Sequence, residues 1–384
     1  MTNRSIRVAL ARNIRSRKRL VHEAYADLSR DHAVYKQYIP SAFEVALGVL
    51  KVHRRRLKLG KPTRAPFMRR LMLKAENQSY RLDRDTGILD LPIKAGEYVR
   101  IRLPVSTWHR SFLSDASWGL GSLTLVPGKL VITVRKTAPA AYEPISAIAL
   151  DTNEESLDGV VARGNDTTFV VIRLGGVREV QATHFRRRRK LATKKANDRR
   201  VAQRLLAREA RRERNRVRQR LHVASRDLVC AAKRIRSVIV LEKLTLRWSG
   251  GFSRRMNRRR GSWPRGEIHR QIEYKAALAG VPVIKVNPAW TSKTCPVCGA
   301  RRRDRVGKVF VCLMCDWEMD RQINAGMNIL KTALASNEAL ARAVRFQPGA
   351  LRHDAVSPLY DLSALPTGAR EEPSGVESGP RTLS

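Results

Sequence analysis

The sequence predicts a multidomain α+β protein: a basic helical domain, a small antiparallel β-barrel, and an α/β domain split by a zinc ribbon. Three observations carry that prediction. Apolar residues recur at helical spacing through residues 1–60, the period changes to two from about Tyr80, and two CxxC pairs interrupt an alternation of strands and helices further on. At 384 residues the chain is long enough for two or three domains with their own cores, and its 43% hydrophobic content can fill them.

In residues 1–65, Ile14, Leu20, Val21, Ala24 and Leu28, then Phe43, Val45, Leu47 and Leu50, mark the apolar faces of two or three basic helices. In residues 66–140, YRLDRDTGILDLPIKAGEYVRIRLPV alternates apolar and polar positions around turns at Asp85-Thr86-Gly87 and Ala95-Gly96. SLTLV and KLVITVRK flank a further turn at Pro127-Gly128, and together these segments give the barrel. SAIALD is a short buried strand ending in Asp151, and GVVAR and TFVVIRL complete a meander. Residues 183–236 read as long helices, and SVIVLE (237–242) is a second buried strand ending in Glu242. GEIHRQIEYKAALAG is an amphipathic helix capped by Gly280 and leads into the strand VPVIKV; DRQINAGMNILKTAL is the last helix. The segment 345–384 is rich in Pro, Gly and Ser, which predicts disorder.

Cys295/Cys298 and Cys312/Cys315 are separated by 13 residues, the two-knuckle spacing of a zinc ribbon. Four thiolates leave no open coordination position, so one zinc ion here is structural; the competing reading is four reduced cysteines without metal. Between the knuckles, Arg301, Arg302, Arg303, Arg305 and Lys308 offer a cationic fingertip to phosphate, or else a solvated run of charge. Cys230 falls on an apolar helix face and reads as core, and His184, His222 and His269 have no partner at metal-ligand spacing.

Asp151 and Glu242 each end a strand of aliphatic residues. The ends of adjacent central strands converge, so such carboxylates can share a divalent cation, and two-metal phosphodiester cleavage needs at least one more oxygen ligand. Asp320, at the start of the last helix, is the natural third. An acid at a strand end is otherwise only a helix cap or a surface turn.

The chain holds 76 Lys and Arg against 34 Asp and Glu, a formal net charge of +42. Such a field repels itself unless a polyanion neutralises it, which points to RNA or DNA. Neither an apolar run long enough to span a membrane nor the apolar core of a signal peptide appears, so a cytoplasmic location without membrane attachment is expected. Between Arg186 and Arg220 stand 17 Lys and Arg against three acids. Arg186, Arg187, Arg188, Arg189 and Lys190, then Arg204, Arg208, Arg211 and Arg212, form cationic stripes, where a merely solvated face would mix signs. Phosphate rather than base edges is their expected target.

The succession LDTNEES, VLEKL, GEIHRQIEYKAALAGVPVIKVNPAWTSKTCPVCG and CLMCDWEMDRQINAGMNIL resembles the TnpB (OrfB) family of insertion sequences, relatives of the type V CRISPR effector nucleases, over roughly residues 78–335. The resemblance implies a helical recognition domain (1–65), a wedge-type β-barrel (66–140) and an RNase H-like RuvC domain (141–290 with 318–344) split by a zinc ribbon (291–317). It also implies an RNA-guided DNA endonuclease. Guide RNA, a double-stranded DNA target and a transposase of the same element are then expected partners, and two catalytic Mg2+ or Mn2+ ions join the zinc. Asp151 and Glu242 match the first two RuvC acids. The family motif usually reads Asp-Arg-Asp-x-Asn-Ala and places its metal-binding acid two residues before the Asn, where this chain has Gln322; its carboxylate stands at Asp320. Two residues on a helix are about 200° apart, so Asp320 can serve only from the last non-helical turn. Gln322 therefore motivates an alternative, a nuclease-deficient RNA-guided repressor acting by occupancy. A general basic zinc-ribbon nucleic-acid binder without a guide is a third reading.

Overall fold

In the computed structural model, which describes residues 1–194, 198, 200–244, 253–301 and 307–351, the apolar patterns close as cores within two compact units. The first unit, Met1–Thr137, opens with α1 (Thr2–Ala11), α2 (Arg17–Asp31) and α3 (Tyr38–Lys58), which bury Ile6, Ile14, Leu20, Leu28, Phe43 and Leu50 together. It continues with β1 (Leu73–Ala75), β2 (Arg81–Leu82), β3 (Ile88–Lys94), β4 (Glu97–Arg102), α4 (Thr107–Leu113), β5 (Gly119–Val126) and β6 (Lys129–Arg135). The antiparallel pattern expected of a barrel is present, but the strands pair as two three-stranded sheets, β1-β5-β6 and β2-β3-β4. Helix α4, capped by Ser106 and His109, separates β4 from β5 in the chain, and its single short run of residues gives no period to read in advance. Both sheets pack around Tyr80, Leu89, Leu91 and Leu123, joined by Tyr38 of α3, whose hydroxyl donates to the Pro92 carbonyl at 2.8 Å. The helices and sheets expected as separate domains thus share one compact unit.

The second unit begins at Ala138 and is built on β7 (Ser146–Thr152), β8 (Ser156–Arg163), β9 (Asp166–Arg173), α5 (Val177–Lys194), α6 (Leu206–Arg234) and β10 (Ser237–Glu242). α7 (Arg254–Ser262), α8 (Arg265–Ala279), β11 (Val283–Val286), β12 (Val309–Val311), β13 (Glu318–Asp320), α9 (Arg321–Ala335) and α10 (Glu338–Ala343) follow. The main sheet has the order β11-β10-β7-β8-β9: an antiparallel meander, β7 to β9, with β10 and β11 added in parallel beside β7. Parallel addition requires crossovers, supplied by α5 with α6 and then by α8. The central strands are apolar throughout because both faces are covered. Ile148, Leu150, Ile239 and Leu241 pack with Leu221, Leu228, Ile268 and Ile272, and Ala147, Ala149, Val238 and Val240 pack with Ile323, Met327 and Leu330.

Helix α9 lies unusually near the sheet. A Cβ added at Gly326 would stand 2.4 Å from the Gly159 Cα, and one at Gly159 would stand 1.9 Å from the Ala149 carbonyl oxygen. Neither position accepts a side chain without moving backbone.

The structure corrects two sequence expectations in this unit. Residues 345–351 are not a disordered tail: the Arg345 N–H donates to the Gly164 carbonyl at 2.8 Å, and Phe346 and Leu351 pack against the α9-side core. Their own apolar side chains give them something to bury; residues 352–384 lie outside the described residues. Cys230 is exposed, because α6 turns Leu228, Val229, Ala231 and Ala232 inward and leaves position 230 outside.

The close approach of the two glycines predicts opposite results for two similar substitutions. Gly326→Ala lowers the unfolding free energy by about 1–3 kcal/mol through overpacking. Gly48→Ala, inside α3 with nothing within 4 Å of the added Cβ, raises it by up to about 1 kcal/mol. Urea unfolding followed by far-UV circular dichroism measures both.

Candidate metal centres

Strand register gathers the acids. β7 and β10 run in parallel with Ser146 beside Ser237 and Leu150 beside Leu241, so Asp151 and Glu242 are the next residues in step. β8 runs antiparallel on the other side of β7 and sets Asp158 directly opposite Asp151. Side chains alternate along a strand, and Ala149, Val160 and Val240 face α9, so Asp151, Asp158 and Glu242 emerge on that same face. Asp320 is the N-cap of α9, with φ −52 and ψ 131, and its Oδ1 accepts from the N–H groups of Gln322 (2.8 Å) and Ile323 (3.3 Å). It therefore stands in the non-helical turn that the two-residue offset requires.

The acids influence one another. Burial, and then the charge of Glu242, push the Asp151 carboxyl up to about 7. Burial also raises Asp158, with the Asp320 charge adding to it. Glu242 is buried and accepts from the Thr291 hydroxyl at 2.7 Å; Asn153 Nδ2 and Ser156 Oγ donate to Asp158 Oδ2 at 2.6 and 2.7 Å. Beside Asp151, Thr152 Oγ1 lies 2.7 Å from Nε2 of His269, whose burial holds its pKa down to about 4 and keeps the ring neutral. Like charges forced together in a poorly hydrated spot are the arrangement a divalent cation relieves.

The cysteines form a tighter group. The sulfur atoms of Cys295, Cys298, Cys312 and Cys315 all lie within 4.8 Å of one another, and no trio of carboxylates closes to that spacing among the described residues. Cys295 and Cys315 are 3.6 Å apart and Cys298 and Cys312 3.5 Å, against about 3.8 Å for the edge of a tetrahedron with Zn–S of about 2.3 Å. The cluster fits a zinc ribbon. Each knuckle closes on a residue with positive φ, Gly299 (79°) and Asp316 (52°), the residue types that tolerate that conformation. Helix α9 grips the first knuckle: Asn324 and Asn328 donate to the Thr294 carbonyl at 3.0 and 2.7 Å, and Lys331 donates to the Pro296 carbonyl at 3.1 Å. The second knuckle is held in the hairpin of β12 and β13, whose last residue is Asp320.

The basic stripes lie on α5, on α6 and, for Arg204, on the helical turn Val201–Leu205 that leads into α6. Arg186, Arg187, Arg189, Lys190, Arg204, Arg208, Arg211 and Arg212 are exposed, whereas Arg188 is partly buried in an ion pair with Glu213. One turn away His184, fully buried, pairs with Glu209 at 2.7 Å, so the acids of this hairpin are used to hold the two helices together. Arg301 is exposed over the Trp290 ring at 5.3 Å; Arg302, Arg303 and Arg305 lie outside the described residues. No helix among the described residues is long and apolar enough to cross a membrane.

Sequence reasoning misses Asp158, Thr291, Asn324 and Asn328. Asp158 has a findable signal, since the turn after Asp151 is short enough to bring an acid of the following strand opposite it. The asparagines act through carbonyls distant in the chain and leave no local signal.

The family model for the Cas12f1-like TNB domain matches residues 266–329, the span from α8 through the ribbon into α9. TnpB-like protein MJ0751 of Methanocaldococcus jannaschii is 26% identical over 247 residues, covering 61% of this chain and 87% of its own. The CRISPR-associated endodeoxyribonuclease Cas12f1 of Sulfoacidibacillus thermotolerans is 37% identical over 70 residues, 18% of this chain and 17% of its own. The structure of a Cas12f1–sgRNA–target DNA complex shares the fold, with a TM-score of 0.54 over 85% of this chain and 79% of that one at 13% identity. Fold, ribbon and matches define a mixed α/β multidomain protein related to the type V effectors. Within that class, the chain is similar to the TnpB-like proteins, whose MJ0751 it matches over most of that protein's length.

Two measurements check these centres. The protein should carry one zinc per chain by metal analysis, and Cys312→Ser should abolish it while speeding amide hydrogen exchange at the start of α9. Separately, Asp151 has a folded pKa of about 7 against an ordinary 3.8, so it favours folding in its protonated form. That contribution, at most about 4 kcal/mol, is complete below about pH 4 and is lost as the pH rises toward 7. Protein free of magnesium should lose stability across that window, and Asp151→Asn should flatten the loss in unfolding free energies measured at stepped pH.

Proposed function

We propose that the chain is an RNA-guided DNA endonuclease whose RuvC-type site, on the α9 face of the five-stranded sheet, hydrolyses phosphodiester bonds. The carrying observation is the convergence of Asp151 and Glu242 at neighbouring strand ends with Asp320 capping the helix that packs on them. The order of three antiparallel strands and two parallel ones supports the RNase H-like assignment.

Asp151, Glu242 and Asp320 are the residues that would hold two divalent cations, magnesium or manganese, which when bound supply charge stabilisation for attacking and leaving oxygens. Asp151 must give up its proton before it can act as a ligand, and Glu242 is aimed by Thr291. Asp158, held by Asn153 and Ser156, adds negative charge to the same spot and is a candidate fourth acid. Guide RNA and double-stranded target DNA are the proposed partners. The exposed cations of α5 and α6 hold phosphate, while base pairing supplies sequence choice. The helices of 1–65, the sheets of 66–140, the RuvC-like parts 141–290 and 318–344, and the ribbon 291–317 keep the roles the resemblance gives them. A cytoplasmic setting and a transposase of the same element belong to the same proposal.

A second reading, guided binding without cutting, has its own observation: Gln322 occupies the usual acid position, and Oδ1 of Asp320 is engaged in capping. The deciding experiment purifies the protein with its native flanking locus, sequences the RNA bound to it and adds matched DNA with magnesium. Cutting that disappears in Asp151→Ala supports the nuclease, and tight guided binding without cutting establishes the second reading. Absence of any discrete RNA overturns both in favour of a general nucleic-acid binder. Asp320→Asn separates the two duties of that residue, because Asn caps helices about as well as Asp. Thermal stability should stay within about 0.5 kcal/mol while cutting falls at least about 100-fold, the loss expected for a ligand of a catalytic cation.

A further inference from the structure

A groove of ≈ 380 Å³ opens between α5 and α7, within the range of about 300–1,000 Å³ typical of ligand clefts. Its walls carry six arginines and two glutamates. Arg188 pairs with Glu213 and Arg259 with Glu154 (2.6 Å), and Arg178 lies 3.8 Å from Glu155 outside the groove. Among the described residues no carboxylate lies within ion-pair distance of Arg186, Arg255 or Arg258. The Arg258 guanidinium is stacked over the Phe185 ring at 3.7 Å, and Trp263 also lines the groove. Aromatic residues are only 6% of the chain, so two of them in one cationic groove is a local concentration.

The groove also adjoins the acids. Glu154 lines it, three residues past Asp151, and Trp263 Nε1 donates to the Asn153 carbonyl at 3.0 Å. The side chain of the same Asn153 donates to Asp158 at 2.6 Å. A strand leaving the acid cluster along this side meets unpaired guanidinium groups and then a flat cationic platform.

We propose that this groove is a subsite for one nucleotide of the single DNA strand that the nuclease cuts, its phosphodiester held by Arg186 and Arg255 and its base stacked on the Arg258 guanidinium backed by Phe185. The inference rests on the nuclease reading for the identity of the strand, and on the groove's own chemistry for binding. Guanidinium and aromatic planes take any base, so the subsite contributes grip without sequence preference.

The test uses the full chain without guide, in chelator, with a short single-stranded DNA carrying 5-iodouracil, followed by irradiation and peptide mapping. The expected crosslinks fall in the peptides of Phe185 and Trp263, and unlabelled DNA competes better than RNA of equal length. Arg255→Ala with Arg258→Ala should weaken binding about 10-fold and flatten the log–log salt slope by roughly 0.7 for each phosphate that is no longer neutralised. Arg258→Lys should keep the slope and lower the crosslink yield, and Arg342→Ala, on exposed α10, should change neither. Crosslinks confined to other peptides, or RNA competing as well as DNA, overturn the proposal. Guided cutting is scored separately: cutting without these crosslinks removes the subsite and spares the nuclease, whereas crosslinks without cutting remove the nuclease and keep a nucleotide-binding groove.

Discussion

The second unit depends on the approach of one backbone to another where Gly326 of α9 meets Gly159 of β8. With no Cβ on Gly326, the helix axis drops toward the sheet, where the strand residues beneath it, Ala147 and Ala149, are correspondingly small. That seat fixes where α9 begins. Its N-cap, Asp320, reaches the charge field of Asp158, which itself stands opposite Asp151. A helix held one side chain further out would keep its cap and its apolar stripe but withdraw the carboxylate from the others.

The same helix ties the thiolate cluster to the acids. Three side chains of α9 hold carbonyls of the first knuckle, and the hairpin carrying the second knuckle runs into Asp320 without an intervening loop. Cys295 is buried and its thiol is pushed up to about 12, which disfavours a bare thiolate. A metal that replaced the thiol protons would hold the hairpin closed and so hold the start of α9. The ribbon is in this sense a brace for the position of one acid, and the cysteine cluster and the proposed acid site share a mechanical element.

Much of this is legible in the sequence where one residue type answers one local demand. SVIVLE matches its strand residue for residue, Gly280 sits in the left-handed cap expected of it, and the CxxC pairs close as spaced. Asp320 stands out as an acid at a helix start, but its capping geometry depends on the ribbon hairpin that delivers it, which spacing alone does not reveal. Asp158 escapes notice because the apolar run after it draws the strand boundary to Gly159, whereas pairing with β7 carries the strand back to Leu157 and pairing with β9 to Ser156. The pairing of the expected barrel strands as two sheets is not legible for a related reason: alternation fixes which residues face the core but not which strand edges bond to each other.

The charge distribution adds a last step. A chain at +42 has few acids to place, and in the second unit two groups of them contrast. Glu209 and Glu213, one turn apart on α6, face His184 and Arg188, one turn apart on α5, and set the register of the helices while leaving the outward cations exposed. Asp151, Asp158, Glu242 and Asp320 instead gather at one end of the sheet, where burial raises the cost of charge on Asp151 and Asp158. Helix register explains the first group within the protein itself. Asp320 caps α9, and Asp158 and Glu242 accept hydrogen bonds that neutral acceptors could also take, so the caps and bonds alone do not call for negative charge on all four. Acids withheld from a strongly basic surface and concentrated where they repel are arranged for a cation that arrives from outside. That inference from cost, more than the motif string, gives the proposed site its physical basis.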